Sequence, residues 1–90
     1  MSYDQRRADM KRFTIFGREG CGYCRQAKAV MESKDLEFRY VDIHEEGISQ
    51  DDLAKTVGKP VRTVPQIFHG EEYVGGYQEL MQYLEQEQIA

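Results

Sequence analysis

The sequence predicts a small α/β domain with one four-stranded mixed sheet flanked by helices, in the order β-α-β-α-β-β-α. Runs of β-branched and aromatic residues are typical of strands. Stripes of apolar residues at three- and four-residue spacing are typical of helices that pack on a sheet. Glycine and proline separate these segments. Ninety residues are enough for one domain with a modest core.

The first half of the domain is predicted to be strand, helix, strand. The apolar run at residues 12–16 is the first predicted strand, and residues 37–42, rich in β-formers, are the second. A helix is predicted between them, from Cys21 to residues 33–34, because apolar residues recur there at helical spacing. A unit of this length implies a right-handed crossover that joins two parallel strands.

The second half is predicted to be helix, hairpin, helix. Residues 49–58 form a predicted helix, with Ser49 as its N-cap and two acids in its first turn. Residues 64–68 and 73–74 are predicted strands, joined by a hairpin turn at residues 69–71. The last helix is predicted from an apolar stripe on one face. Its members are Tyr77, Leu80, Met81 and Leu84.

Charge and composition limit the kind of protein this can be. Residues 1–30 carry seven Lys and Arg against three acids, whereas residues 31–90 carry five against thirteen. Seven dispersed charges do not form the basic, aromatic-bearing stripe of a nucleic-acid binder. No apolar run reaches the ~18 residues of a membrane span, and none has the form of an export signal. We therefore expect a cytoplasmic monomer without membrane or nucleic-acid partners, with residues 1–10 as a flexible extension and residues 11–90 as the domain.

The two cysteines of the chain, Cys21 and Cys24, form a Cys-x-x-Cys motif where the first predicted strand leads into a helix. With Cys21 as the N-cap, its side chain is expected to accept hydrogen bonds from N–H groups of the first turn. The helix dipole adds positive charge there, and Arg18 and Arg25 flank the motif. These effects favour a thiolate and lower the pKa of a cysteine. Since Cys24 is close enough to close a disulfide, the motif predicts thiol–disulfide chemistry.

Three other interpretations of the cysteine pair are weaker. A structural zinc site needs four ligands, and the remaining candidates, His44 and His69, are isolated from each other. An inert buried pair would have apolar neighbours, where this chain has Gly20 and Gly22. A permanent disulfide is typical of secreted proteins, and we expect no secretion.

Four stretches of the chain resemble dithiol glutaredoxins. The stretches are residues 16–24 (FGREGCGYC), 40–43 (YVDI) with 46–48 (EGI), 58–68 (GKPVRTVPQIF) and 75–77 (GGY). The resemblance spans about residues 12–88 and is most pronounced to the small bacterial glutaredoxin-1 type. It implies a thioredoxin-like fold and a glutathione-dependent oxidoreductase. The combination is much more specific than Cys-x-x-Cys alone.

The resemblance also implies roles for individual residues. Cys21 would be the nucleophile that takes up the glutathionyl group, and Cys24 the resolving thiol. Pro65 would follow a cis peptide bond that exposes the Val64 backbone beside the sulfur. The glutathione-binding residues would be Arg18, Tyr23, Thr63, Val64, Pro65, Gly76, Tyr77, Gln78 and Glu79, with Arg62 as a second basic candidate. Glutathione would be a co-substrate, and no tightly bound cofactor or metal is expected. Glutathionylated or disulfide-bonded proteins would be the partners, ribonucleotide reductase being one suggested client.

Two departures from the family pattern leave alternatives open. Gly22 stands where proline is commoner, and some relatives with a small residue there hold a [2Fe–2S] cluster across a dimer through the first cysteine and glutathione. An iron–sulfur carrier, with Cys21 as cluster ligand, is therefore the alternative function. Gln78-Glu79 stands where the family has Thr/Ser-Asp, so the carboxylate expected to meet the γ-glutamyl amine is one methylene longer. A thioredoxin-like reductant is a third option, disfavoured because no Trp precedes Cys21.

Overall fold

The computed structural model describes residues 12–87 of the chain. The predicted extension at residues 1–10 lies outside the described residues. Four strands and three helices follow one another in the described part, in the order expected from the sequence. They are β1 (Phe13–Gly17), α1 (Gly22–Ser33), β2 (Phe38–Asp42), α2 (Gln50–Val57), β3 (Gln66–His69), β4 (Glu72–Gly75) and α3 (Tyr77–Glu87).

The four strands form one mixed sheet in the order β2-β1-β3-β4. β1 and β2 are parallel, with Ile15 opposite Tyr40, whereas β3 is antiparallel to both β1 and β4. The parallel pair is the one that α1 connects. This is the thioredoxin-like arrangement, and the predicted fold class is confirmed.

The hydrophobic core lies between the sheet and the helices α1 and α3. Alternate residues of a strand face opposite sides, so Phe13 and Ile15 of β1 face this core together with Ile67 of β3. The helices supply buried side chains at helical spacing. The helical members of the cluster are Ala27, Met31, Leu80 and Leu84. The end of β1 and the start of α1 are thereby fixed against each other.

The third predicted strand begins later than the sequence suggests. Pairing with β1 starts at Gln66, opposite Phe16, and continues to His69, opposite Phe13. Pro65 has no N–H to donate to the ladder, so Val64 and Pro65 form a loop before the strand. His69, predicted in the turn, belongs to the strand, and the turn is residues 70–71.

The apolar face of α3 also differs from the predicted stripe at one position. Leu80 and Leu84 are buried as expected, whereas Met81 is 38% exposed. Tyr83 packs against the core in its place. Because a helix turns about 100° per residue, Leu80 lies between Tyr83 and Leu84 on the buried face, and Met81, about 100° from Leu80, lies at its edge. None of the three helices described is long and apolar enough to span a membrane.

Candidate active site

The Cys-x-x-Cys motif lies at the carboxyl end of β1, where the chain turns into α1. Cys21 is the N-cap of α1, with extended backbone angles (φ −94°, ψ 113°). Its sulfur accepts a hydrogen bond from the Cys24 N–H at 3.1 Å. This is the N-cap geometry predicted from the sequence, and it directs the positive end of the helix at the Cys21 sulfur.

The two sulfurs are joined in a disulfide and differ in their exposure. The Cα atoms of Cys21 and Cys24 are 5.2 Å apart, within the range of a disulfide. Cys24 is completely buried, whereas Cys21 is partly exposed. An incoming thiolate therefore attacks Cys21, and the buried Cys24 sulfur is the leaving group.

The loop before β3 brings backbone groups to the Cys21 sulfur. The Val64 carbonyl oxygen is 3.7 Å from the Cys21 sulfur, and the Val64–Pro65 peptide bond is cis, as the resemblance implies. The loop is held by Gln66, which is only 5% exposed. Its Nε2 donates to the Thr63 carbonyl at 2.8 Å, and its Oε1 accepts from the Tyr73 hydroxyl.

Sequence reasoning missed this support for the loop. A glutamine that begins an apolar strand was the available signal, since a buried amide needs partners. The pKa of Tyr73 is raised, mainly because the phenol is partly buried and also because Glu79 is near. Tyr73 therefore keeps its proton at neutral pH and remains a donor to Gln66.

Eight of the nine predicted glutathione-binding residues line one cleft of about 310 Å³. They come from α1, the loop before β3 and the start of α3. The lining residues are Tyr23, Thr63, Val64, Pro65, Gly76, Tyr77, Gln78 and Glu79. One wall is aromatic, because the rings of Tyr23 and Tyr77 stack with centroids 5.5 Å apart. Tyr23 is nevertheless 57% exposed, so its ring is open to a ligand.

The start of α3 also lines this cleft, with Gly76, Gln78 and Glu79 following on from the aromatic wall. The Gly76 N–H donates to Glu79 Oε1 at 3.0 Å, which caps the helix through its own first turn. The expected contact of Glu79 with a ligand amine stays a prediction. Gly75 has φ +125°, and a Cβ there would lie 2.7 Å from the Cβ of Glu79. This tight, left-handed turn favours glycine.

The ninth residue, Arg18, lies outside that cleft. It lines a second cavity of about 370 Å³ together with Arg62 and His44. Thr63 and Val64 line both cavities, so the two meet at the backbone beside Cys21. The two predicted basic residues are thus together, in the cavity that does not include the aromatic wall.

Tyr40 lies beside the buried sulfur. A Cβ built on Gly17 would be 2.9 Å from Tyr40 Cζ and 3.0 Å from the Cys24 sulfur, so the absent side chain of Gly17 leaves room for both. The Tyr40 hydroxyl donates to the Arg18 carbonyl at 3.4 Å. Its pKa is raised, chiefly by burial and next by the charge of Asp42, while Arg25 acts in the opposite direction.

Comparison with known proteins points to one family. A family model described as glutaredoxin matches residues 13–74. A glutaredoxin of Haemophilus influenzae is 57% identical over 67 residues, which cover 69% of this chain and 77% of that protein. Glutaredoxin 1 of Escherichia coli is 50% identical over 68 residues, covering 70% of this chain and 80% of that protein. The solution structure of reduced E. coli glutaredoxin superposes with a TM-score of 0.77 at 42% identity, covering 88% and 99% of the two chains.

An accessible cysteine at a helix N-cap, with its disulfide partner buried one turn later, is the arrangement of a thiol–disulfide oxidoreductase. The family model and the similar proteins identify the family within this class. This chain belongs to the glutaredoxin family.

Proposed function

We propose that the chain reduces glutathione mixed disulfides and protein disulfides, with glutathione as its co-substrate. The single observation that carries the proposal is the cleft beside Cys21, because one surface offers an accessible sulfur, the Val64 backbone, an aromatic wall and a helix start. These are the groups that a γ-glutamyl tripeptide with a reacting sulfur needs.

The proposed chemistry begins at the Cys21 thiolate. It attacks the glutathionyl sulfur of a mixed disulfide, and the client thiolate leaves. A second glutathione thiolate then attacks the sulfur of the bound glutathionyl group, which releases glutathione disulfide and regenerates the Cys21 thiolate. With a protein disulfide, the Cys21 thiolate bonds to one client sulfur and the other client sulfur leaves as a thiolate. The Cys24 thiolate then attacks the Cys21 sulfur, which breaks the Cys21–client bond and leaves the Cys21–Cys24 disulfide. Two glutathione thiolates reduce that disulfide in turn and are released as glutathione disulfide. A Cys21 thiolate stabilised by the start of α1 contributes mainly as a good leaving group, because such stabilisation also weakens a thiolate as a nucleophile.

The binding residues have proposed roles that follow from their positions. The γ-glutamyl carboxylate would lie on the free N–H groups of Gln78 and Glu79 at the start of α3. The tripeptide backbone would pair with Val64. The glycyl carboxylate would face Arg18 and Arg62 in the second cavity, which meets the cleft at Val64. Tyr23 and Tyr77 would pack along the peptide.

A glutathione-coupled assay on a small glutathione mixed disulfide tests the proposal, with each cysteine changed in turn. Cys21→Ser should abolish turnover, since no nucleophile remains. Cys24→Ser should retain removal of glutathione but weaken reduction of protein disulfides. Cysteinylglycine is the matched reductant, because it lacks the γ-glutamyl group and should be much poorer. Turnover by the Cys21→Ser variant, or equal use of both reductants, would refute the proposal.

The compartment proposed is the cytoplasm, where thiols stay reduced, and the proposed clients are glutathionylated or disulfide-bonded proteins. The iron–sulfur alternative depends on Gly22 and the Cys21 thiolate, since thiolates are the usual cluster ligands. Anaerobic reconstitution with iron, sulfide and glutathione separates the two functions. A colourless monomer supports the dithiol enzyme, and a brown dimer supports the carrier.

A further inference from the structure

Opening of the disulfide leaves a negative charge on the buried sulfur of Cys24, which does not line the cleft. When a glutathione thiolate attacks Cys21 in the disulfide, a new bond forms between the glutathione sulfur and the Cys21 sulfur. The Cys21–Cys24 bond breaks, and its electron pair remains on the Cys24 sulfur. Because Cys24 is completely buried, that thiolate forms without water around it. An anion in such a place is costly unless a donor is at hand.

Tyr40 brings a donor to this position. Its ring end and the Cys24 sulfur both border the space that a side chain at Gly17 would fill. Tyr40 lies on β2 opposite Ile15 of β1, and it packs against the core. The ring is therefore held by the sheet at the level of the buried sulfur.

The present hydrogen bond of the hydroxyl is weak. Its distance to the Arg18 carbonyl is 3.4 Å, whereas O–H···O bonds centre near 2.7–2.8 Å. A bond to a thiolate is charge-assisted and stronger than a neutral one. Donating to the Cys24 thiolate instead of the carbonyl would therefore replace a weak interaction with a strong one.

We propose that the Tyr40 hydroxyl donates a hydrogen bond to the Cys24 sulfur whenever that sulfur is anionic, and so sets the rate at which the Cys21–Cys24 disulfide opens and closes. The inference rests on the dithiol reaction proposed above. In the closing direction, the Cys24 thiol loses its proton and attacks Cys21. The departing client thiolate takes up a proton, and the hydroxyl again stabilises the Cys24 anion.

The groups around Tyr40 keep its hydroxyl protonated. Burial and the Asp42 carboxylate raise the pKa of Tyr40, and the opposing charge of Arg25 does not reverse this. The Lys28 ammonium lies over the Tyr40 ring, 5.6 Å from its centre. Asp42 itself accepts the backbone N–H groups of His44 and Glu45. Tyr40 thus serves as a donor at neutral pH rather than as a base.

Tyr40→Phe removes the hydroxyl and keeps the ring. We expect glutathione to reduce the Cys21–Cys24 disulfide about tenfold more slowly in this variant, the loss expected for one hydrogen bond to a charged group. Carbon NMR of the Cys24 β-carbon, followed against pH in the reduced protein, should report a higher Cys24 pKa. In a Cys24→Ser background, Tyr40→Phe should change the rate of removal of glutathione from a small mixed disulfide by less than about twofold. The reason is that no thiolate forms at position 24.

Tyr83→Phe is the matched control, since its hydroxyl contacts His69 at the opposite end of β1. It should leave the rate of disulfide reduction unchanged. The inference is overturned if Tyr40→Phe reduces at the wild-type rate, or if it slows the Cys24→Ser enzyme as much as the dithiol enzyme. A wild type without glutathione-dependent turnover would instead refute the proposed function, and the Cys24 titration would still test the hydrogen bond.

Discussion

At the scale of single residues, the surroundings of the buried sulfur depend on Gly17, which does not line the cleft. Gly17 ends β1, and its missing side chain lets the Tyr40 ring approach the Cys24 sulfur. In the interpretation above, this residue sets the surroundings of the buried thiol. Nothing in the local sequence distinguishes it from a turn glycine.

We predict that Gly17→Ala destabilises the protein by about 1–3 kcal/mol, the usual cost of inserting a methyl group into a packed interior. The added Cβ would lie 2.9 Å from Tyr40 Cζ and 3.0 Å from the Cys24 sulfur. Denaturant unfolding measures the change. Gly22→Ala is the control, because its nearest neighbour, Arg25 Nη2, is 4.0 Å from the new Cβ. Equal midpoints for the two variants would show that the space beside Gly17 can accommodate a methyl group.

At the scale of elements, the start of α1 suits a proline, where this chain has Gly22. Gly22 is the first helical residue and is exposed, and proline suits that position because its N–H is not needed there. The residue before a proline prefers an extended backbone, and Cys21 has it (φ −94°, ψ 113°).

Gly22→Pro is therefore expected to raise the free energy of unfolding by about 0.4–1 kcal/mol, through a less flexible unfolded chain. Denaturant midpoints measure it. The matched control is Gly20→Pro, which should destabilise, because Gly20 has φ +85° and proline fixes φ near −65°. A clear loss of stability in Gly22→Pro would contradict its placement in the first turn.

Helix α2 carries a pH-sensitive cap at its start. Ser49 Oγ accepts the Asp52 N–H at 3.0 Å, and Asp52 Oδ2 accepts the Ser49 N–H at 3.1 Å. The Ser49 backbone N–H, and after it the Ser49 hydroxyl, hold the pKa of the Asp52 carboxyl below its ordinary value. A lowered pKa contributes stability that is present above the unfolded value and is lost as pH falls through the folded value.

Asp52→Asn should accordingly destabilise at neutral pH and much less near pH 2, where the wild-type carboxyl is protonated. Denaturant midpoints across that range measure the difference between the two proteins. Asp51→Asn, the same change one position earlier, is the control and should not alter the acid dependence in this way. A difference between wild type and Asp52→Asn that stays constant with pH would exclude the capping carboxylate as its cause.

At the scale of the whole molecule, charge is distributed unevenly around the site. The chain has a net charge of −4, yet Arg18 and Arg62 line the cavity that meets the cleft at Val64. Glutathione carries two carboxylates and one ammonium, so its net charge is negative. Local positive charge on an acidic protein steers anions to that point, and salt screens the effect.

We predict that kcat/KM for a small glutathione mixed disulfide falls severalfold as ionic strength rises to about 0.15 M, where the screening length is about 8 Å. The kcat should change little, because the bound complex is already formed. Arg18→Gln should flatten this dependence, whereas Arg39→Gln, at an exposed position on β2, should not. Identical salt profiles for wild type and Arg18→Gln would remove Arg18 from substrate capture.

The sequence predicted correctly those features that depend on residues close together in the chain. The spacing of the cysteines predicted Cys21 as an N-cap, and the strand and helix periodicities predicted the order of elements. The meeting of the Val64 loop with Cys21 was anticipated only through the resemblance to a family, and other contacts between distant segments were missed. Tyr40 reaches Cys24 only through the pairing of β1 with β2, and Gln66 holds Thr63 only because the loop before β3 folds back. Met81 was misplaced because helical spacing alone does not decide which side of an apolar stripe packs on the sheet, and α3 turns Tyr83 to the core instead.

The stacked pair of Tyr23 and Tyr77 has a practical consequence. The chain contains six tyrosines and no tryptophan, so its intrinsic ultraviolet fluorescence comes from phenol rings alone. Two of those rings form the wall of the cleft, and a peptide lying along them alters their surroundings directly. Binding in this cleft can therefore be followed by emission from the unlabelled protein, without an attached dye and without waiting for any turnover.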